Sequence, residues 1–299
     1  MRVVSLLPAA TEIVAALGAL PRLVGVSHEC DYPPEARALP RVTRTRLDAS
    51  LPSAEIDRAM AAARRTGTPP VEVDVKLIAH LRPDVILGQS LCDVCAVGEG
   101  GLAQLVTALN PTPWVVTLHA HTLDGVLADI HKVGAAVNLE DEADELVAGL
   151  RYRLRRVRQA HAPRPPGSPL GRPSGSPSGR PTPPSVLVLE WLDPPYVAGH
   201  WVPELVDIAG GRDVAGRPGE RSTARSWREL SALAPDLVVV ALCGFDVARA
   251  QQELAAVTDR DARVLLGRRV GLLDGNAYTS RPGPRLVDAA EILARLIAG

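Results

Sequence analysis

The chain has 299 residues, of which 46% are apolar and only 3% aromatic, and its formal net charge is −1. That length accommodates two lobes with cores of their own, the apolar content excludes a mainly disordered chain, and the near-zero charge supplies no field to hold nucleic acid or an anionic membrane. No apolar run approaches the roughly 18 residues of a membrane span.

Met1-Arg2 leads straight into Val3-Val4-Ser5-Leu6-Leu7, without a signal-peptide core or cleavage pattern. The expectation is a monomeric, cytoplasmic protein. Its cysteines, Cys30, Cys92, Cys95 and Cys243, are then expected as free thiols or metal ligands rather than disulfides.

Val3 to Leu7 reads as a short buried strand that Pro8-Ala9-Ala10-Thr11-Glu12 turns into a helix ending at Gly18, with Thr11 as its cap. Leu23 to Val26 is the next strand, and its carboxyl end releases Ser27-His28-Glu29-Cys30-Asp31-Tyr32-Pro33-Pro34. In an open parallel sheet ligands bind outside the carboxyl ends of strands, so this loop is a candidate site wall. Pro40 to Pro52 is polar and turn-rich, and Ser53 to Arg65 and Val75 to Leu81 are helical. The strand Asp84 to Leu87 opens into Gln89-Ser90-Leu91-Cys92-Asp93-Val94-Cys95. Trp114 to Leu118 closes this half, and His119 and His121 behind it read as exposed residues beside a helix start.

Leu123 to Val137 forms one helix, and Glu140 to about Ala160 a longer one with Ala143, Leu146, Val147, Leu150, Leu154 and Val157 on one stripe. Its acidic first turns and arginine-rich end match the helix macrodipole. With a rise of about 1.5 Å per residue it spans roughly 30 Å, enough for a rigid strut between lobes. From Pro163 to Pro184, nine of 22 residues are proline and most others are Gly, Ser or Arg, a composition that cannot bury a core and reads as a disordered linker.

The second half begins with the strand Val186 to Leu189 and continues through Glu190 to Gly211. A helix from Ser226 to Leu233, a strand from Leu237 to Ala241 and a helix from Val247 to Val257 follow. The strand Val270 to Leu273 releases Asp274 to Arg285, and a helix from Leu286 to Ile297 ends the chain.

Two echoes run through this order. Glu204-Leu205-Val206-Asp207-Ile208-Ala209-Gly210 repeats the form of Glu12-Ile13-Val14-Ala15-Ala16-Leu17-Gly18, a carboxylate opening an apolar helix that closes on glycine. Leu233 to Val239 repeats Leu81 to Leu87, a Pro-Asp turn feeding a buried strand. The expected fold is α/β: two similar Rossmann-like lobes with parallel sheets, joined by a long helix, with a ligand cleft between them. Residues 1–122 form the N-terminal lobe, 123–161 the linking helices, 162–185 the linker and 186–299 the C-terminal lobe.

Every cysteine lies on a loop after a predicted strand, as do His28, Glu190, Trp191, Tyr278 and Arg281. The two-residue spacing of Cys92 and Cys95 lets both sulfurs face one metal or form a redox pair. Ser5 to Glu12, Asp31-Tyr32-Pro33, Leu81 to Ile86, Ala209-Gly210-Gly211, Trp227 with Leu233 to Val238, and Pro284-Arg285 stand in an order that resembles the cobalamin and iron-siderophore substrate-binding protein superfamily, most of all its vitamin B12-binding branch.

The resemblance implies cleft loops after Pro8, after Asp31 and before Pro284, and an ABC permease as partner. It also places the loops after Val26 and Leu87 side by side, so that Cys30, Cys92, Cys95 and His28 could hold zinc or iron directly or approach the metal of a bound complex. Two functions follow. One is a binding protein for cobalamin or another metal complex, with Trp191, Trp201 and Tyr278 as walls, Arg281 or Arg285 meeting a carboxylate or phosphate, and Pro8, Asp31, Tyr32, Gln89, His200 and Cys243 completing the site. The other is a cytosolic metal- or thiol-dependent enzyme that uses the same cleft, with Glu190 as acid or base.

Overall fold

A computed structural model describes residues 1–89, 105–161 and 182–299. The loop carrying Cys92 and Cys95, and most of the proline-rich segment, lie outside the described residues. In the N-terminal lobe, strands β1 (Val3–Ser5), β2 (Leu23–Val26), β5 (Val85–Gln89) and β6 (Trp114–Leu118) form a sheet of order β2-β1-β5-β6. All its pairings are parallel. Val3 and Val4 are fully buried and β5 is buried along its whole length, as strands covered on both faces must be.

Helix α1 (Pro8–Ala16) crosses from β1 to β2 with proline at its first position, where no backbone N–H is needed. Thr11 is not its cap. That hydroxyl lies inside α1 and donates to Ser5 Oγ at 2.9 Å. Gln89, expected in a loop, is the last residue of β5.

Two short strands stand apart from the main sheets, one in the polar stretch after Pro40 and one just before Asp74. β3 (Thr43–Thr45) pairs antiparallel with β4 (Val71–Val73), and α2 (Ser53–Thr66) is the excursion between them. Helix α3 (Val75–Leu81) then leads into β5, and Asp74 caps it by accepting from Leu77 N.

α4 (Leu123–Ala136) and α5 (Glu140–His161) follow β6. The buried stripe of α5 is Ala143, Val147, Leu150, Leu154 and Val157. It joins one continuous apolar core containing Ile13 and Ile130 from the first half and Leu205, Leu293 and Ile297 from the second. The arginines of α5 are not merely solvated: Arg153 Nε donates to Glu291 at 3.0 Å and Arg158 Nη2 to Asp207 at 2.9 Å, which ties the strut to the C-terminal lobe. Such partly exposed pairs add only about 0–1 kcal/mol each, so the shared core carries the junction.

The second sheet runs β10-β8-β7-β11-β12, with β9 beside β7. β7 (Ser185–Leu192), β11 (Leu237–Val240) and β12 (Val270–Leu272) are parallel. β8 (Pro195–Val197) and β10 (Thr223–Ala224) are antiparallel, so this lobe is not a pure parallel sheet. The reason is local: Asp193-Pro194 turns the chain back within two residues, which only an antiparallel hairpin allows. Short β9 (Arg212–Asp213) follows α6 (Val202–Ile208); α7 (Trp227–Ala232), α8 (Val247–Ala256), α9 (Arg260–Leu266) and α10 (Leu286–Ala298) complete the lobe. Among the described residues no helix is long and apolar enough to cross a membrane.

Two glycines separate packing from propensity. A Cβ on Gly134, in α4, would sit 2.5 Å from Ala143 Cβ and 2.9 Å from Leu139 O, whereas one on Gly149, in α5, meets nothing within 4 Å. Gly134→Ala should therefore destabilise by about 1–3 kcal/mol through overpacking, which outweighs the ~1 kcal/mol gain in helix propensity. Gly149→Ala should stabilise by about 0.5–1 kcal/mol. Urea unfolding of the two variants checks the opposite signs.

Candidate functional site

Helix α1 and the loops after β2 and β12 meet at the lobe junction around one ionic knot. Gly275–Thr279 forms a single wide (π) turn begun by Asp274, whose carboxylate accepts from Ala277 N at 2.7 Å. This turn delivers Arg281 into the interior, where it is 5% exposed. Its Nη1 donates to Glu12 Oε1 at 3.1 Å and to Asp31, and its Nη2 to Asn276 Oδ1 at 2.9 Å. Arg285 grips the other side of Glu12 bidentately, Nε to Oε2 at 2.8 Å and Nη2 to Oε1 at 2.6 Å. Its guanidinium lies 4.1 Å from the centre of the Tyr32 ring and 5.6 Å from that of Tyr278.

Burial works against the Asp31 carboxylate, but the hydrogen bond and charge of Arg281 outweigh it and hold its pKa below the ordinary value. Both guanidiniums are thus committed to the chain's own carboxylates, and the expectation that one of them awaits a ligand's acid group is replaced by a structural role. Sequence reasoning passed over Glu12, although a carboxylate inside the apolar run Pro8–Ala16 is itself a signal, because a buried charge requires a partner. Glu12→Gln leaves two cations facing each other with one counter-charge fewer and should cost roughly 3–5 kcal/mol, read as a lowered urea midpoint.

His28 stands at the carboxyl end of β2, half-buried. Thr43 Oγ1 accepts from His28 N at 2.9 Å, lies 2.7 Å from His28 Nδ1, and donates to Ser27 Oγ at 3.3 Å. These roles balance when Nδ1 carries the proton and donates to Thr43, which leaves the Nε2 lone pair unused by this network. Burial first, and the charge of Arg41 second, push the His28 pKa down from its ordinary value.

The other anticipated residues divide. Cys30 is fully buried; its sulfur is 3.1 Å from Thr11 Oγ1, and burial pushes its pKa up to about 11. A thiol so buried and so raised is held as the neutral SH and packs as a core residue here. Trp201 is 4% exposed and donates from Nε1 to Thr279 O at 2.9 Å, which makes it a core residue rather than a cleft wall. Pro8 opens α1 and is buried. Glu190 and Trp191 lie within β7 rather than on a loop, and Trp191 lies 5.1 Å from Phe245, centroid to centroid. Half-buried Cys243 donates its backbone N–H to Glu190 O at 2.9 Å. Among the described residues no group of three or more His, Cys, Asp or Glu could hold a metal ion.

One unanticipated pairing joins the lobes: His121, after β6, faces His200 with ring centroids 5.7 Å apart. His200 sits at φ 52°, unusual for a side-chain-bearing residue. Burial, then His121 and Arg221, lower its pKa from 6.5. The unfolded chain therefore binds a proton that the folded one resists, so this stability is present above pH 6.5 and is lost as pH falls through the lower folded value. His200→Gln should flatten the loss of stability between about pH 7 and 5, with unfolding midpoints at both pH values as the check.

Two α/β lobes braced by one helix, with facing strand ends carrying the polar and aromatic side chains, define a bilobal ligand-binding architecture. The sequence profile described as periplasmic binding protein matches residues 3–262, and the chain belongs to that family. No curated protein sequence matches.

Among solved structures, the chain is similar to the periplasmic heme-binding protein RhuT from Roseiflexus sp. RS-1 in apo form, at 23% identity over 99% of this chain and 97% of that one, with a TM-score of 0.68. The periplasmic vitamin B12 binding protein BtuF of Vibrio cholerae matches at 20% identity over 99% and 96%, TM-score 0.66. An ABC-type Fe3+-hydroxamate transport system protein from Saccharomonospora viridis matches at 20% over 100% and 93%, TM-score 0.65. At these identities the likeness is one of fold.

Proposed function

We propose that this solute-binding protein holds a planar metal complex, a heme or a corrinoid, between its lobes, with His28 Nε2 turned to the metal. The observation that carries this reading is the His28–Thr43 pair. An imidazole whose Nδ1 lies 2.7 Å from a hydroxyl, just past the carboxyl end of a strand, and whose pKa burial lowers, suits the part of a metal ligand. Trp191 and Phe245, their rings tilted by 38° to each other, offer an aromatic wall. Support also comes from similar folds named for heme, vitamin B12 and Fe3+-hydroxamate. Delivery of the cargo to an ABC permease belongs to the same proposal, by analogy with the ABC transporter substrate-binding protein of Listeria monocytogenes, which shares the fold.

Titration of the purified protein with hemin and, separately, with aquocobalamin tests it. The expected result is a saturable shift of the visible band for one of them. His28→Ala should weaken that binding by about tenfold or more and alter the band through loss of the axial nitrogen. Absence of any saturable spectral change with either compound would overturn the reading.

A further inference from the structure

The β3–α2–β4 excursion belongs to the N-terminal lobe by sequence, yet its tip rests on the other lobe. Of the 14 residues of α2 only Ser53 and Met60 are buried. Ile56 packs against the C-terminal core group that contains Phe245 and to which Trp191 is also fitted. The first turn is held by two side chains of α8. Ser53 N donates to Glu253 Oε2 at 3.2 Å, and Arg249 Nη2 donates to Leu51 O at 2.7 Å and to Ser50 O at 3.3 Å.

Arg249 and Glu253 pair with each other at 2.8 Å, and the Arg249 guanidinium stands 5.1 Å from the centre of the Phe245 ring. One turn further on, burial first and the charge of Asp57 second raise the pKa of Tyr196 on β8. The base of the excursion is a two-stranded ladder. Its first residue, Thr43, is the one that orients His28.

We propose that this excursion is a lid, shut here over the Trp191–Phe245 wall by the Arg249–Glu253 clasp, and that it lifts to admit a ligand to that wall. A thinly buried helix on a two-stranded base, fastened by a few polar contacts, belongs to the low-stability end of a structure, from which lids are drawn. Each fastening group is also local to the tip. Glu253 places a negative charge at the positive end of α2 and accepts a backbone N–H that the helix itself cannot satisfy. Leu51 and Ser50 offer carbonyls that Arg249 takes up only when the tip is down. Opening exchanges these contacts for water while the shared core of α1, α4, α5, α6 and α10 stays intact.

The inference rests on the proposed cleft ligand only for its last step, so its test has arms with and without ligand. The double variant Arg249→Ala, Glu253→Gln is compared with the wild-type chain. In ligand-free protein, hydrogen exchange of the amides of residues 53–66 should quicken at least tenfold, with amides of β1, β5 and α10 unchanged. Acrylamide quenching of Trp191, isolated by subtracting the Trp191→Phe background, should increase. Stopped-flow hemin uptake should be several-fold faster.

Unchanged exchange in α2, or faster exchange without greater quenching, overturns the lid. Exchange spreading to β1, β5 and α10 also overturns it, because the clasp would then hold the whole fold and not a lid. If neither hemin nor aquocobalamin binds the wild type, the ligand assignment fails and the two ligand-free arms still decide whether the clasp keeps the lid shut.

Discussion

Glu12 is the constraint on which the lobe junction depends. A carboxylate 3% exposed, on a helix otherwise made of Ala, Ile, Val, Pro and Thr, would be intolerable alone, and it is matched by two guanidiniums that enter from the far end of the chain. Because Arg281 also holds Asp31 and Asn276, the loop after β2 and the loop after β12 cannot take independent positions. The knot thus specifies which surfaces of the two lobes meet. Bidentate geometry at Arg285 adds direction that a lysine could not supply.

A second carboxylate repeats the device. Glu204, the residue that echoes Glu12 in the second lobe, accepts from Leu123 N, the first residue of α4, at 2.8 Å. Burial raises its pKa, because water is partly withdrawn from the carboxylate. The first helix of each lobe therefore sends a carboxylate to the start of the helix that follows the other lobe's last main strand. With α5 fastened to both sides and one core running through all of these helices, motion at the junction is restrained. The excursion containing α2 is held outside that core.

For the planar metal complex proposed above, this division would keep the cleft's shape fixed while the excursion admits the ligand. Rigid strand ends set His28 and the Trp191–Phe245 wall, and the hydroxyl of Thr43 ties the orientation of His28 to the ladder beneath α2. Fixing side chains on strands and placing movement in an excursion separates recognition from access.

The sequence by itself determined the two-lobe plan. Apolar periodicity located β1, β2, β5, β6, β7, β11 and β12 and every main helix but α9, and the repeated Glu-led helices and Pro-Asp strands announced the duplication, because burial and turn chemistry are local signals. It singled out His28 and Trp191 as residues of loops that follow predicted strands, whereas Trp191 lies within β7. It did not show that Trp201 and Cys30 are core residues, that Arg281 and Arg285 are committed to Glu12, that the hairpin β7–β8 breaks the parallel order, or that α2 reaches across to α8. Each of these depends on a partner: Arg285 and Glu12 are 273 positions apart, and Ser53 and Glu253 are 200 apart. A side chain's local sequence states its chemistry, but whether that chemistry is spent inside the chain or kept for a ligand was decided only when the tertiary fold brought those partners together.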